Sequence, residues 1–260
     1  MFTERTLSEP LKSVKERHAP DALVLDSAEN FESLLPAQAE DLLLVTDSVV
    51  PATYPDEWVP PNSPEVLARY ASSDFIVGMP GDGSVVWTHQ TDPSVVICKP
   101  RLEESPDSFA EFLVAEALVE VGLDAPEHFL GLFESDYPRF AAACADLLSP
   151  AETYQVAVAC HDAYLGLQTR DVFADWEEPL FEAWADASDR LEPRVDGLPG
   201  EMARNETSFA EAAELACSAV KHAGELPPPF EALDASVYLD HGSDYAVEWA
   251  ERTVDALADG

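Results

Sequence analysis

The stretch Asp74-Phe75-Ile76-Val77-Gly78-Met79-Pro80-Gly81-Asp82-Gly83-Ser84-Val85-Val86-Trp87-Thr88-His89-Gln90-Thr91-Asp92-Pro93-Ser94-Val95-Val96-Ile97-Cys98 decides the fold. It holds three short runs, Asp74 to Met79, Ser84 to His89 and Ser94 to Cys98, rich in the β-branched and aromatic residues that suit a pleated surface. Pro80-Gly81-Asp82-Gly83 separates the first two and Thr91-Asp92-Pro93 the others. Connections that short join antiparallel neighbours, so the reading is a three-stranded antiparallel meander. The glycines at 78, 81 and 83 suggest a phosphate loop only superficially. Such a loop needs a helix after it and a lysine, whereas here a strand follows and the next lysine is Lys99. A hairpin turn is the better reading.

Working outward, residues 7–18 place Leu7, Leu11 and Val14 on one face of a short helix. Ala22-Leu23-Val24-Leu25 reads as a buried strand, Asp26 with Glu29 as the capping box of a short helix through Leu35, and Leu42 to Thr46 as another run of strand length. Between Val50 and Pro64 five prolines exclude both helix and central strand. Tyr54 and Trp58 imply that this loop packs onto something. Ser63-Pro64-Glu65 starts a helix to about Tyr70.

Beyond Arg101 every signal is helical. Ser105-Pro106 opens a helix that stops at Gly122, and Ser149-Pro150-Ala151-Glu152 combines an N-cap, a proline at the first helical position and a capping-box glutamate. Further stripes follow at Leu180-Trp184-Ala187-Leu191, at Phe209-Ala213-Ala216-Val220 and at Val247-Ala250-Val254-Leu257. The expected fold is α+β: an N-terminal mixed layer with the meander over residues 1–101, and an acidic C-terminal helical bundle over 102–260, as two domains or one continuous one.

The chain carries 51 acids against 14 bases, a formal net charge of −37 in 260 residues. Apolar residues make up 47%, too many for a disordered acidic tail. Such a balance argues against a nucleic-acid surface and against an anionic membrane, both of which need clustered Lys and Arg. The acids are spread through every segment, 16 in the first hundred residues and 35 in the rest, and only four lysines occur. This composition suits a protein adapted to molar salt, where the Debye length of roughly 3 Å screens self-repulsion; the alternative is an acidic protein of ordinary salt that binds a basic partner. No charged and apolar leader opens the chain and no apolar stretch approaches membrane length. Cys98, Cys144, Cys160 and Cys217 form no C-x-x-C pair. The expectation is a cytoplasmic protein with reduced cysteines and no membrane partner.

Catalytic signatures are sparse. Neither H-E-x-x-H nor G-x-S-x-G occurs, no zinc spacing is present, and neither a metal nor a cofactor is expected. Cys160-His161-Asp162 are adjacent on a helix and cannot face one another, so a buried cysteine beside a hydrogen-bonded histidine is the plain reading. Acid pairs mean nothing where one residue in five is acidic. The cations are more informative. Lys12, Lys15 and Arg17 crowd the N-terminal helix, either as an ion-paired face or, with Tyr54 and Trp58, as a partner-docking surface. If registry brings His89 beside Lys99 and Arg101, they offer a pocket for a small anion; otherwise they solubilise the meander's edge.

The stretch Ser73 to Gly83, with Trp87-Thr88, Cys98-Lys99-Pro100 and Glu111-Phe112-Leu113-Val114-Ala115-Glu116-Ala117-Leu118, resembles a family of halobacterial proteins of unknown function. The resemblance implies a halophilic archaeal source and carries over no catalytic residue. The favoured function is a non-enzymatic module that binds a protein partner; the alternative is an enzyme or binding protein for a small anionic metabolite, sited between meander and bundle. On dilution from molar KCl to about 10 mM, where screening reaches roughly 30 Å, far-UV circular dichroism is expected to show loss of secondary structure. An unchanged spectrum would remove the salt-adaptation reading.

Overall fold

Val95, Val96, Ile97 and Cys98 are each 2% exposed or less, so this strand is covered on both faces and takes a neighbour on each edge. The computed structural model supplies both, and describes all residues except Leu35, Ser73, Asp82, Asp124, Asp259 and Gly260. Its strands are β1 (Phe2–Glu4), β2 (Leu23–Ser27), β3 (Ser48–Val49), β4 (Val85–Thr88), β5 (Thr91–Asp92) and β6 (Val95–Cys98). Its helices are α1 (Glu9–His18), α2 (Pro36–Ala39), α3 (Glu65–Tyr70), α4 (Asp107–Val121), α5 (Phe129–Phe133), α6 (Tyr137–Cys144), α7 (Pro150–Ala174), α8 (Leu180–Ala203), α9 (Phe209–Ser218) and α10 (Ser236–Ala258).

The fold is α+β, and helical beyond Arg101 as expected. Four strands form one sheet in the order β1-β2-β6-β4, and β3 pairs with β5 in a separate two-stranded ribbon. β4 and β6 are antiparallel, with Val85 opposite Cys98 and Thr88 opposite Val95. The other neighbour of β6 is β2, parallel, with Leu23 opposite Val95. The meander is therefore corrected. Residues 74–79 supply no strand to this sheet, only a single bridge from Val77 to Leu34. Gly78 and Gly81 both take positive φ, which breaks the extended run, and Phe75 and Val77 serve instead as core residues from a loop.

Two further expectations fail for physical reasons. Asp26 and Ser27 extend β2, so the capping box at Asp26 starts no helix, and Ala28–Ser33 run as an irregular segment with bends; the expected endpoint, Leu35, lies outside the described residues. Leu42–Thr46 is not a strand: residues 40–44 form a 3-10 turn, because only Leu42 of the apolar run points inward.

By its contacts the chain resolves into two compact units. One comprises residues 1–53, 69–127 and 176–184, the other 54–68, 128–175 and 185–260. In the first, Phe2, Leu25, Val86, Val95 and Ile97 build a core on one face of the sheet with Leu34, Leu42, Phe75 and Val77. Helix α4 packs against β4 and β6, where Trp87 Nε1 donates to Glu120 at 2.8 Å. Helix α1 lies on α4, burying Leu11 and Val14. In the second unit α7 is the central helix. It begins at Ser149 with the full capping box, buries thirteen of its residues, and packs against α5, α6, α9 and α10. Phe129, Phe133, Tyr137 and Phe140 form an aromatic cluster against its Tyr154, with ring centroids as close as 4.7 Å. The last helix is broken at Gly242 by φ 51° and ψ −126°, a conformation that favours glycine.

Close approach of α1 to α4 depends on Gly122, where an added Cβ would lie 2.3 Å from the carbonyl oxygen of His18. Because that neighbour is backbone, the two helices must separate. Gly122→Ala is expected to lower stability by about 1–3 kcal/mol in urea unfolding. Gly224→Ala, whose Cβ meets nothing within 4 Å, is the control and should stay within about 0.5 kcal/mol.

Candidate functional site

The registry of β4 on β6 settles the geometry of His89, Lys99 and Arg101. His89 sits at the loop end of the hairpin, where Nδ1 meets Ser94 Oγ at 2.8 Å and the ring stands edge-on to Trp87 at 5.0 Å. Lys99 lies at the opposite end, its N–H donating to Ser84 at 2.8 Å. Five ladder positions part them, about 17 Å of strand. His89 and Lys99 are not brought together.

Lys99 and Arg101 do share one end of the sheet. Lys99 is only 1% exposed and its Nζ lies 4.6 Å from the Phe31 ring centroid, a cation–π arrangement. Arg101 donates from its backbone to Asn30 Oδ1 at 2.9 Å, and from its guanidinium to Glu32 Oε1 at 3.0 Å and Gly83 O at 2.7 Å. Burial pushes the Glu32 carboxyl up. The bond and charge of Arg101, a backbone bond from Gly81 and the charge of Lys99 outweigh it and hold the group below the usual range. These cations are engaged by the chain's own groups, which makes a folded corner more than an anion pocket.

The cations of α1 lie on its outer face. Lys12 pairs with Glu9, Lys15 donates to the carbonyl of Pro20, and Arg17 is exposed. Tyr54 and Trp58 belong to the other unit, half-buried, their rings 5.8 Å apart, with Tyr54 6.4 Å from His128. At least nine of the fourteen Lys and Arg side chains form ion pairs with acids, so few cations are left for an external anion. Arg139 alone meets Asp136, Asp244 and Glu251 at 3.5–4.0 Å.

Three features were missed in the sequence. The first is Glu127, whose carboxylate accepts from Tyr70 Oη at 2.8 Å, Thr88 Oγ1 at 2.9 Å, the His89 N–H at 2.6 Å and Gln90 Nε2 at 2.6 Å. Gln90 also donates to Ile76 O and accepts from the Ala52 N–H, both at 2.9 Å. This knot ties the hairpin loop to three other segments; one glutamate among so many acids gave no signal. The second is the apolar run Leu43-Leu44-Val45 with Val50, all exposed, which the sequence did signal as apolar but not as outward-facing. The third is the buried His128 of the helical unit. Cys160, read in the sequence as a buried cysteine, is fully buried there, and burial and neighbouring thiols push its thiol far up, which disfavours the thiolate. His128 caps α5, its Nδ1 accepting from the Leu130 N–H at 3.1 Å, and complete burial, then the charge of His161, lowers its pKa well below the ordinary value. Among the described residues no group of three or more His, Cys, Asp or Glu is placed to hold a metal ion, and no helix is long and apolar enough to cross a membrane.

What the chain brings together is thus a polar knot, buried thiols and an exposed apolar run. Its residues 1–257 match the model of the DUF7089 family of unknown function, and the chain belongs to that family. No curated protein and no solved structure matches it.

Because His128 is held neutral, the unfolded chain takes up a proton there more readily than the folded one. Its contribution to stability is complete above about pH 6.5 and is lost as the pH falls below it, by up to about 1.4 kcal/mol per unit. Asn retains an acceptor for the cap without the titration. His128→Asn is therefore expected to flatten the fall of the urea midpoint between about pH 6.5 and 5, and equal slopes would exclude His128 as the source.

Proposed function

We propose that this chain is a non-enzymatic protein-interaction module of a salt-rich archaeal cytoplasm, with its contact surface on the run Leu43-Leu44-Val45 and Val50. The observation that carries this reading is their exposure: 52%, 79%, 37% and 67%. Single exposed apolar side chains are ordinary. Four within eight residues, on a surface otherwise rich in carboxylates, suit a contact patch.

The run is held outward by construction. Leu42 is fully buried, and its carbonyl accepts from the Val45 N–H at 3.0 Å, the Thr46 N–H at 2.9 Å and Thr46 Oγ1 at 2.8 Å. The backbone is thereby pinned with its next three side chains in solvent. The small-anion alternative has weaker support: Arg101 already spends its donors on Asn30, Glu32 and Gly83, and His89 stands at the far end of the hairpin. The salt-adapted, cytoplasmic setting rests on the charge of −37 and on sites such as Arg139, where three carboxylates share one guanidinium.

The test is affinity purification from a high-salt lysate of the tagged chain and of a Leu43→Ser, Leu44→Ser variant. The wild type is expected to retain a stoichiometric protein that the variant loses, with the same far-UV spectrum for both. Recovery of the wild type alone, as a monomer, would sink the reading.

A further inference from the structure

The surroundings of the exposed run say what kind of partner it takes. From His18 to Thr53 the chain has no Lys or Arg and seven acids. Glu40 and Asp41 precede the run, with the buried Leu42 between, and Asp47 follows it after Thr46; Glu40 and Asp47 are exposed, and the Asp41 side chain is 47% exposed, with the Met1 amino group 3.2 Å away. Across the ribbon, Asp92 is exposed as well, its carbonyl accepting from the Asp47 N–H at 2.7 Å. Along the chain the exposed apolar run is therefore flanked by exposed carboxylates on either side. A neutral apolar ligand would cover the run but strip water from these carboxylates without compensation. A ligand bearing carboxylates, a second copy of this chain with the same flanks, or an anionic lipid surface would be repelled. Apolar side chains interspersed with Lys or Arg satisfy both parts.

Resting on the interaction reading above, we infer that the occupant of the Leu43-Leu44-Val45 and Val50 patch is a protein segment combining aliphatic side chains with Lys or Arg. The aliphatic groups seat on the leucines, and the cations meet Glu40, Asp41 and Asp47. Charge sets which partner is accepted, and apolar burial supplies most of the affinity at the ionic strength of a salt-rich cytosol, where the carboxylates are screened.

The test titrates the full chain with three labelled peptides, alternating Leu with Lys, Leu with Glu, and Ser with Lys, followed by fluorescence anisotropy. It is run at the lowest KCl concentration that keeps the folded far-UV spectrum and again in molar KCl. The Leu–Lys peptide is expected to bind at least about tenfold more tightly than either other peptide. Leu44→Ser should weaken it by about tenfold, the Glu40→Gln, Asp47→Asn pair should weaken it at the lower salt only, and the preference for Lys over Glu should shrink in molar salt. Equal binding of the Leu–Lys and Leu–Glu peptides, both weakened by Leu44→Ser, would overturn the charge preference while leaving the interaction surface in place. Equal binding of the Ser–Lys peptide, or indifference to Leu44→Ser, would reduce the effect to general attraction by a −37 chain and overturn the site itself, as would no binding of any peptide. Sedimentation of the chain alone closes the last route: a dimer abolished by Leu44→Ser would make a second copy the occupant and overturn the proposal.

Discussion

The parallel pairing of β2 with β6 is the constraint on which the N-terminal unit depends. β6 is four apolar residues with no polar face, so it cannot sit at an edge or turn a side to water. With β4 on one flank, its remaining edge groups need another strand, and Leu23 to Asp26 provide it. That placement aligns Leu25, Ile97 and Val86 in one row across the sheet. It leaves the opposite face for α4, and gives α1 its seat on α4. The loop holding Leu34, Leu42, Phe75 and Val77 then has a surface to close against.

Much of this was legible from local chemistry. Ser149-Pro150-Ala151-Glu152 carried a complete helix start in four residues, and the structure shows both halves of the box. The β4–β6 hairpin and the proline-rich loop were equally plain, since glycine, proline and β-branched residues act through their own backbone preferences. What escaped is long-range. Leu42 to Val45 has the composition of a strand, and nothing within it tells that one leucine is buried and two are in solvent. Residues 74–79 look like a strand because their apolar content is real, but it is spent in a loop. The edge of β4 they were expected to cover ends the sheet, and the strand that joins the hairpin comes instead from a segment about fifty residues earlier, on the far side of β6.

The candidate site shows the same division. Lys99 and Arg101 stand two residues apart and share a corner almost inevitably, whereas His89 depended on register, and register placed it at the other end. The carboxylate of Glu127, which accepts from four donors, is indistinguishable in sequence from fifty others. In a chain so acidic, an individual carboxylate acquires meaning only from the donors that surround it, and those donors come from separated segments. Exposed leucines invert that logic: they are few, and their position alone makes them informative.

The course of the chain through its two compact units has an evolutionary corollary. It passes from one to the other five times, at residues 53, 68, 127, 175 and 184. No single cut yields either unit whole, so neither can be shed, duplicated or fused elsewhere by a simple recombination event. The pair is inherited as one module, and an insertion is tolerated in a surface loop sooner than at any of the five crossings.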